Sequence, residues 1–189
     1  IEDNSNYILP TKLQQKYKIT KVDSYLLDTY LLKSPSKSDT RQILYLPGGG
    51  YVEQPLMWHW RFLYNLSQKL NGTITVPIYP KAPNHQYDEV FEKVLPIYKD
   101  LLTKTSPEGL PQPGNIVLLS PWLDITLSHP EIESMKKNEP MLNLKLLIES
   151  GKTYAGDTDR SNYLLSPING PLKELGKITL FIGTHEFFL

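Results

Sequence analysis

Leu44-Tyr45-Leu46-Pro47-Gly48-Gly49-Gly50-Tyr51 is the stretch whose reading decides the fold. A short apolar run, Gln42 to Leu46, has the composition of a strand, and it stops at a proline followed by three glycines. Three glycines at a strand end leave backbone N–H groups unobstructed by side chains. Such groups serve a tight strand-to-helix turn that needs positive φ, and they also serve an oxyanion hole, in which amides point at the negative charge that develops during acyl transfer. The residues alone support both readings. A dinucleotide-binding fingerprint fits worse, because the glycine expected three residues after Gly50 is Glu53.

Working outward, Trp58, Phe62, Leu63, Leu66 and Leu70 recur at spacings that line one helix face, and Asn71-Gly72 supplies a C-terminal stop. Thr73 to Tyr79 is β-branched and reads as a strand. A proline-punctuated loop leads into a second helix carrying Val90, Val94, Leu95, Tyr98, Leu101 and Leu102 on one face, with a kink expected at Pro96. Ile116 to Leu119 reads as a fully apolar strand, Leu142 to Tyr154 as a helix, and Ile178 to Ile182 as a last strand. Upstream, Tyr17 to Leu32 reads as a strand pair and Lys33 to Arg41 as a solvated turn. Strands alternating with helices predict an α/β three-layer sandwich with a mostly parallel central sheet.

The chain has 189 residues, a size suited to a single domain with one core. Lys plus Arg and Asp plus Glu both number 20, so no basic surface for nucleic acid is expected. The absence of cysteine excludes disulfides, thiolate metal sites and cysteine nucleophiles. No stretch approaches the roughly 20 apolar residues of a membrane span. A soluble protein is expected, with the cytoplasm favoured, although the start at Ile1 leaves room for an upstream signal or anchor.

Four colinear segments resemble the hormone-sensitive-lipase-like branch of the α/β-hydrolase-fold serine esterases (α/β hydrolase fold-3). They are Leu44 to Tyr51; Val76-Pro77-Ile78-Tyr79-Pro80-Lys81-Ala82-Pro83; Leu118-Leu119-Ser120-Pro121-Trp122-Leu123-Asp124; and Ser166-Pro167 with Ile182-Gly183-Thr184-His185-Glu186. The resemblance covers most of the chain from about Tyr17 onward and implies hydrolysis of a small-molecule ester through a serine acyl-enzyme, without cofactor or metal. Carried over, Gly48 and Gly49 would supply oxyanion N–H groups, Gly50 and Tyr51 would touch substrate, and Glu186 would stand as the acid of the triad.

The sequence also departs from that pattern. Pro47 stands where the family usually has histidine, and Glu186 where it usually has aspartate. No Gly-x-Ser-x-Gly occurs anywhere, and the interval that would hold the nucleophile elbow is only Ser106 to Asn115. The family's histidine lies beyond the acid, past Leu189. The hydrolase fold is therefore expected to be incomplete, with a discontinuity near residues 106–109 or a true deletion. The chain is expected either to belong to an esterase in its intact form or to be a non-catalytic remnant that binds. Ser120 reads as a strand-end polar residue, and His59, His85, His129 and His185 as scattered surface or loop histidines. Asp88 and Asp124 read as capping and turn residues. The aromatics Tyr51, Trp58, Trp60, Phe62 and Tyr64 are expected in the core or along an acyl pocket.

Overall fold

Gly72–Pro77 is the segment around which the first half of the chain is organised, because all six of its residues are buried. In the computed structural model, which describes residues 7–23, 25–35, 41–105, 113–173 and 175–188, the elements follow the alternation read from the sequence. In chain order they are α1 (Thr11–Tyr17), β1 (Ile19–Val22), β2 (Thr29–Lys33), β3 (Arg41–Leu44), α2 (Met57–Leu70), β4 (Gly72–Pro77) and α3 (Tyr87–Thr105). After these come β5 (Asn115–Leu119), α4 (Ile132–Met135), α5 (Leu144–Ala155) and β6 (Lys177–Phe181). The expected discontinuity near 106–109 lies outside the described residues.

The chain divides into two compact units, Glu2–Leu110 and Pro111–Leu189. In the first, four strands lie in the order β1-β2-β4-β3. The pairs β1/β2 and β2/β4 are antiparallel, and β3 runs parallel to β4 with Ile43 opposite Ile74. Parallel neighbours need a crossover, and α2 is that crossover between β3 and β4. Asn71 ends α2 in the left-handed conformation, φ 49°, and its N–H donates to the Ser67 carbonyl. Trp60, Leu63, Tyr30, Leu32, Ile74 and Val76 make the core of this unit.

That core corrects the face assigned to α2. Its buried residues are His59, Trp60, Leu63 and Ser67, whereas Trp58 and Phe62 are 59% and 42% exposed. Aromatic composition around residue 60 marks a buried helix but does not say which aromatic turns inward. Further corrections concern element ends: a helical turn, α1, precedes the predicted strand pair and contains Tyr17, and β3 stops at Leu44 instead of Leu46.

In the second unit β5 and β6 form a parallel pair, Asn115 opposite Lys177 through Leu119 opposite Phe181. Such apolar strands are usually covered on both faces. Here Val117, Leu119, Ile178, Leu180 and Phe181 are each 45–58% exposed, and β5 has no second strand partner among the described residues. The core of this unit lies instead under α5, where Leu144, Leu147, Leu127, Ile132 and Phe187 pack together. No helix among the described residues is long and apolar enough to cross a membrane.

Candidate active site

The glycine loop lies in the first unit, directly after β3. Gly49 and Gly50 hold φ of 130° and 56°, and Tyr51 follows at 66°, so the turn demands the left-handed region three times in succession. The Gly49 carbonyl accepts the N–H groups of Val52, at 3.1 Å, and Glu53, at 2.8 Å, which folds the loop back on itself. The N–H groups of Gly48 and Gly49 donate to no group among the described residues. The tight turn and the exposed amides are thus both present, and the two readings of the triplet are compatible. A Cβ on Gly49 would fall 2.6 Å from the Glu53 carbonyl oxygen. Gly49→Ala is therefore expected to cost on the order of 1–3 kcal/mol and to loosen the Glu53 hydrogen bond, read as a lower urea midpoint with faster exchange of the Glu53 amide.

The segment after β4 holds this loop at both ends. The Tyr79 hydroxyl donates to the Pro47 carbonyl, and the Ala82 N–H donates to the Tyr51 carbonyl at 3.0 Å. Burial pushes the Tyr51 hydroxyl up to about 12 and the Tyr79 hydroxyl higher still, so both stay neutral donors across the physiological range. Lys81, between them, is 1% exposed, with Nζ 3.4 Å from the centroid of the Tyr79 ring. Burial draws its pKa down to about 7, against a smaller opposing effect of Glu53. Sequence reading passed over Lys81, and a lysine among Tyr, Pro and Ala after a buried strand was the signal available.

Glu186 lies in the second unit, just beyond β6. Its Oε1 accepts two hydrogen bonds, from the Ser120 hydroxyl at 2.9 Å and from the Gly183 N–H at 2.9 Å. Its Oε2 is buried and has no partner among the described residues. Ser120 ends β5 with φ 45°, a conformation uncommon for a residue with a side chain, and its own N–H donates to the Phe181 carbonyl at 2.8 Å. The strand-end reading of Ser120 holds, but its hydroxyl also fixes the carboxylate. An open surface depression of about 500 Å3 lies beside Ser120, lined by Leu119, Ser120, Leu180, Phe181, Ile182 and Gly183. Gly50 and Tyr51 belong to the other unit.

The histidines separate by environment. His59 is corrected from a surface residue to a buried one, 7% exposed, whose Nδ1 accepts the Leu56 N–H at 2.9 Å at the start of α2. Burial lowers its pKa, and the Lys81 charge acts in the same direction. His85 pairs with Glu89 at 2.6 Å, and His129 Nδ1 accepts the Glu131 N–H at 3.2 Å. His185 is exposed, with Nδ1 3.4 Å from the Thr184 hydroxyl. Asp124 takes the turn role expected of it. Its carboxylate accepts the N–H and hydroxyl groups of both Thr126 and Ser128, and although burial pushes its pKa up, those hydrogen bonds outweigh burial and hold it below the usual range. Asp88 accepts the Glu89 N–H at 2.9 Å in the first turn of α3. No group of three or more His, Cys, Asp or Glu side chains that could hold a metal ion occurs among the described residues.

This architecture has relatives. A sequence family described as alpha/beta hydrolase fold matches residues 43–108, which include the glycine loop, α2 and β4. An esterase of Acinetobacter venetianus is 23% identical over 180 residues, taking in 80% of this chain and 59% of its own length. An acetyl-hydrolase of Streptomyces hygroscopicus is 23% identical over 177 residues, with the same shares. The chain thus spans 59% of the length of the curated relatives it matches. The matched stretch runs over 180 residues yet takes up only 80% of a 189-residue chain, so within it the Acinetobacter esterase carries residues that this chain does not. A hormone-sensitive lipase from a metagenome library superposes with a TM-score of 0.80 at 21% identity, covering 98% of this chain and 75% of that one. By strand connectivity, motif order and these likenesses together, the chain has the α/β-hydrolase fold.

Proposed function

We propose that this chain carries the oxyanion loop and the triad acid of a carboxylic ester hydrolase that, in its intact form, works through a serine acyl-enzyme. The observation that carries the reading is the state of Glu186: one carboxylate oxygen is fixed by Ser120 and Gly183, while the other is buried and has no partner among the described residues. A buried carboxylate oxygen without a donor is costly, and an imidazole N–H is the donor that a triad acid accepts. In that role Glu186 orients the base and stabilises the imidazolium that forms as the serine loses its proton. The Gly48 and Gly49 amides, uncommitted among the described residues, take the carbonyl oxygen as it becomes an oxyanion. The relatives' names support an ester as the substrate.

One feature favours a second reading for the chain on its own. It contains no Gly-x-Ser-x-Gly, and the Acinetobacter relative carries extra residues within the matched stretch. A non-catalytic remnant that binds esters without turning them over follows from that absence.

Incubation with p-nitrophenyl butyrate and with a serine-trapping fluorophosphonate separates the two readings. Turnover with a labelled serine supports the hydrolase and excludes the remnant. A chain that is silent in both assays, but whose Gly48 and Gly49 amide resonances shift saturably with the ester, supports the remnant. A chain silent in all three tests overturns the ester reading altogether.

A further inference from the structure

Lys81 is the least accounted-for polar group in the first unit. It is 1% exposed, and its Nζ has no hydrogen-bond partner among the described residues. A buried ammonium without hydrogen bonds is expensive, and an apolar side chain at this position would avoid the cost. The ammonium lies against the face of the Tyr79 ring, 3.4 Å from its centroid, a contact favourable to its charge. That ring in turn belongs to the hydroxyl that holds the Pro47 end of the glycine loop.

We propose that Lys81 is a positioning residue for the glycine loop: its ammonium, packed on the Tyr79 ring, strengthens the Tyr79 hydroxyl as a donor to Pro47 and so sets the stance of the Gly48 and Gly49 amides. The physical link is polarisation. A cation over the ring face draws electron density from the phenol, which makes its O–H a better donor, and in an interior of low polarity such coupling is not screened by water. The second tether, from Ala82 N–H to the Tyr51 carbonyl, joins backbone to backbone and does not depend on the charge. The loop is therefore fixed at its Tyr51 end and adjustable at its Pro47 end. In the ester-hydrolase reading, on which the catalytic meaning of this coupling rests, Lys81 tunes the oxyanion donors.

The charged and titratable groups that act on Lys81 come from three places. Glu53, at the end of the loop, favours the ammonium. Burial lowers the pKa of His59, in the first turn of α2, and Lys81 lowers it further. Tyr51 and Tyr79 stay protonated well above neutrality. Burial places the Lys81 amine near neutrality, so the strength of the Pro47 tether is expected to change over the range in which cells operate.

The test follows the amide resonances of Gly48 and Gly49 in the 15N-labelled 189-residue chain between about pH 6 and about pH 9, with the Lys81 side chain observed in parallel. One titration step shared by both glycines and by Lys81 is expected. Lys81→Met should lose the step, and Lys81→Arg, charged throughout, should hold both glycines at their low-pH positions. Tyr79→Phe removes a single oxygen and should leave Lys81 titrating while the glycines no longer follow, an uncoupling that a merely structural lysine would not produce. His59→Gln should leave the step in place. Glycine amides that do not titrate in the wild-type chain, or a step that survives Lys81→Met or Tyr79→Phe, would overturn the proposal. The readout needs no ester, so a failure of the ester-hydrolase reading would show in the turnover and binding assays and leave this titration standing.

Discussion

Between about pH 7 and about pH 9.5 the resistance of the chain to urea is expected to rise by about 3 kcal/mol, and Lys81→Met should abolish that rise. The sign follows from which state binds the proton. In the unfolded chain Lys81 keeps its ordinary pKa of 10.5, whereas in the fold burial lowers it to about 7. Below about 7 both states are protonated and the folded one carries the full cost of an enclosed ammonium. Above that value the folded amine is neutral while the unfolded one still holds its proton, so raising the pH stabilises the fold until the unfolded lysine also titrates. The buried tyrosines stay out of this window, since burial moves Tyr51 and Tyr79 upward and unfolded tyrosine titrates only near pH 10. His59 adds little in this window, since burial lowers its pKa in the fold and the unfolded imidazole, with its ordinary value of 6.5, is already mostly neutral there. Urea midpoints by tryptophan fluorescence, collected at half-unit intervals, check the prediction. A flat profile in the wild-type chain would mean that Lys81 keeps its charge in the fold.

Trp60→Ala is expected to lower stability by about 3–5 kcal/mol, the cost of emptying a large aromatic site in a closed core. Trp60 is fully buried and meets Tyr30 edge to face at 5.5 Å. Its indole N–H donates to the Tyr7 hydroxyl at 2.6 Å, so truncation also strands a polar group. Trp58→Ala, only two residues away, should change stability by no more than about 0.5 kcal/mol, because that ring is 59% exposed and lies against His59. Chemical denaturation of the two variants, with near-ultraviolet circular dichroism to register loss of the fixed indole, gives the ranking. A face drawn from sequence spacing alone, which points Trp58 inward, yields the reverse order.

That contrast shows where the sequence stops being legible. Element type and order were readable because β-branched runs such as Thr73 to Val76 and the apolar spacing in α3 are local signals set by steric preference. The register of a helix on its sheet is not local. A span crowded with Trp, Tyr and Phe satisfies several faces equally, and the one chosen depends on which side chain packs into the cluster that holds Tyr30, Leu32 and Ile74. His59 escaped for a related reason: its burial and its cap on Leu56 follow from how α2 lies on the sheet.

The same division runs through the candidate site. The triplet Gly48 to Gly50 announced its backbone geometry, because glycine is the residue that enters the left-handed region without steric cost. The colinear motifs, from the glycine loop to Glu186, announced the hydrolase fold, and the lack of Gly-x-Ser-x-Gly is a property of the sequence that no folding can change. Only the tertiary structure decided that Ser120, 66 residues before Glu186, would fix one of its oxygens and leave the other buried without a donor among the described residues. Only it enclosed Lys81 against the ring whose hydroxyl tethers the glycine loop. Hydrogen bonds and desolvation act through distance in space, and chain spacing encodes that distance only within a turn or a helix.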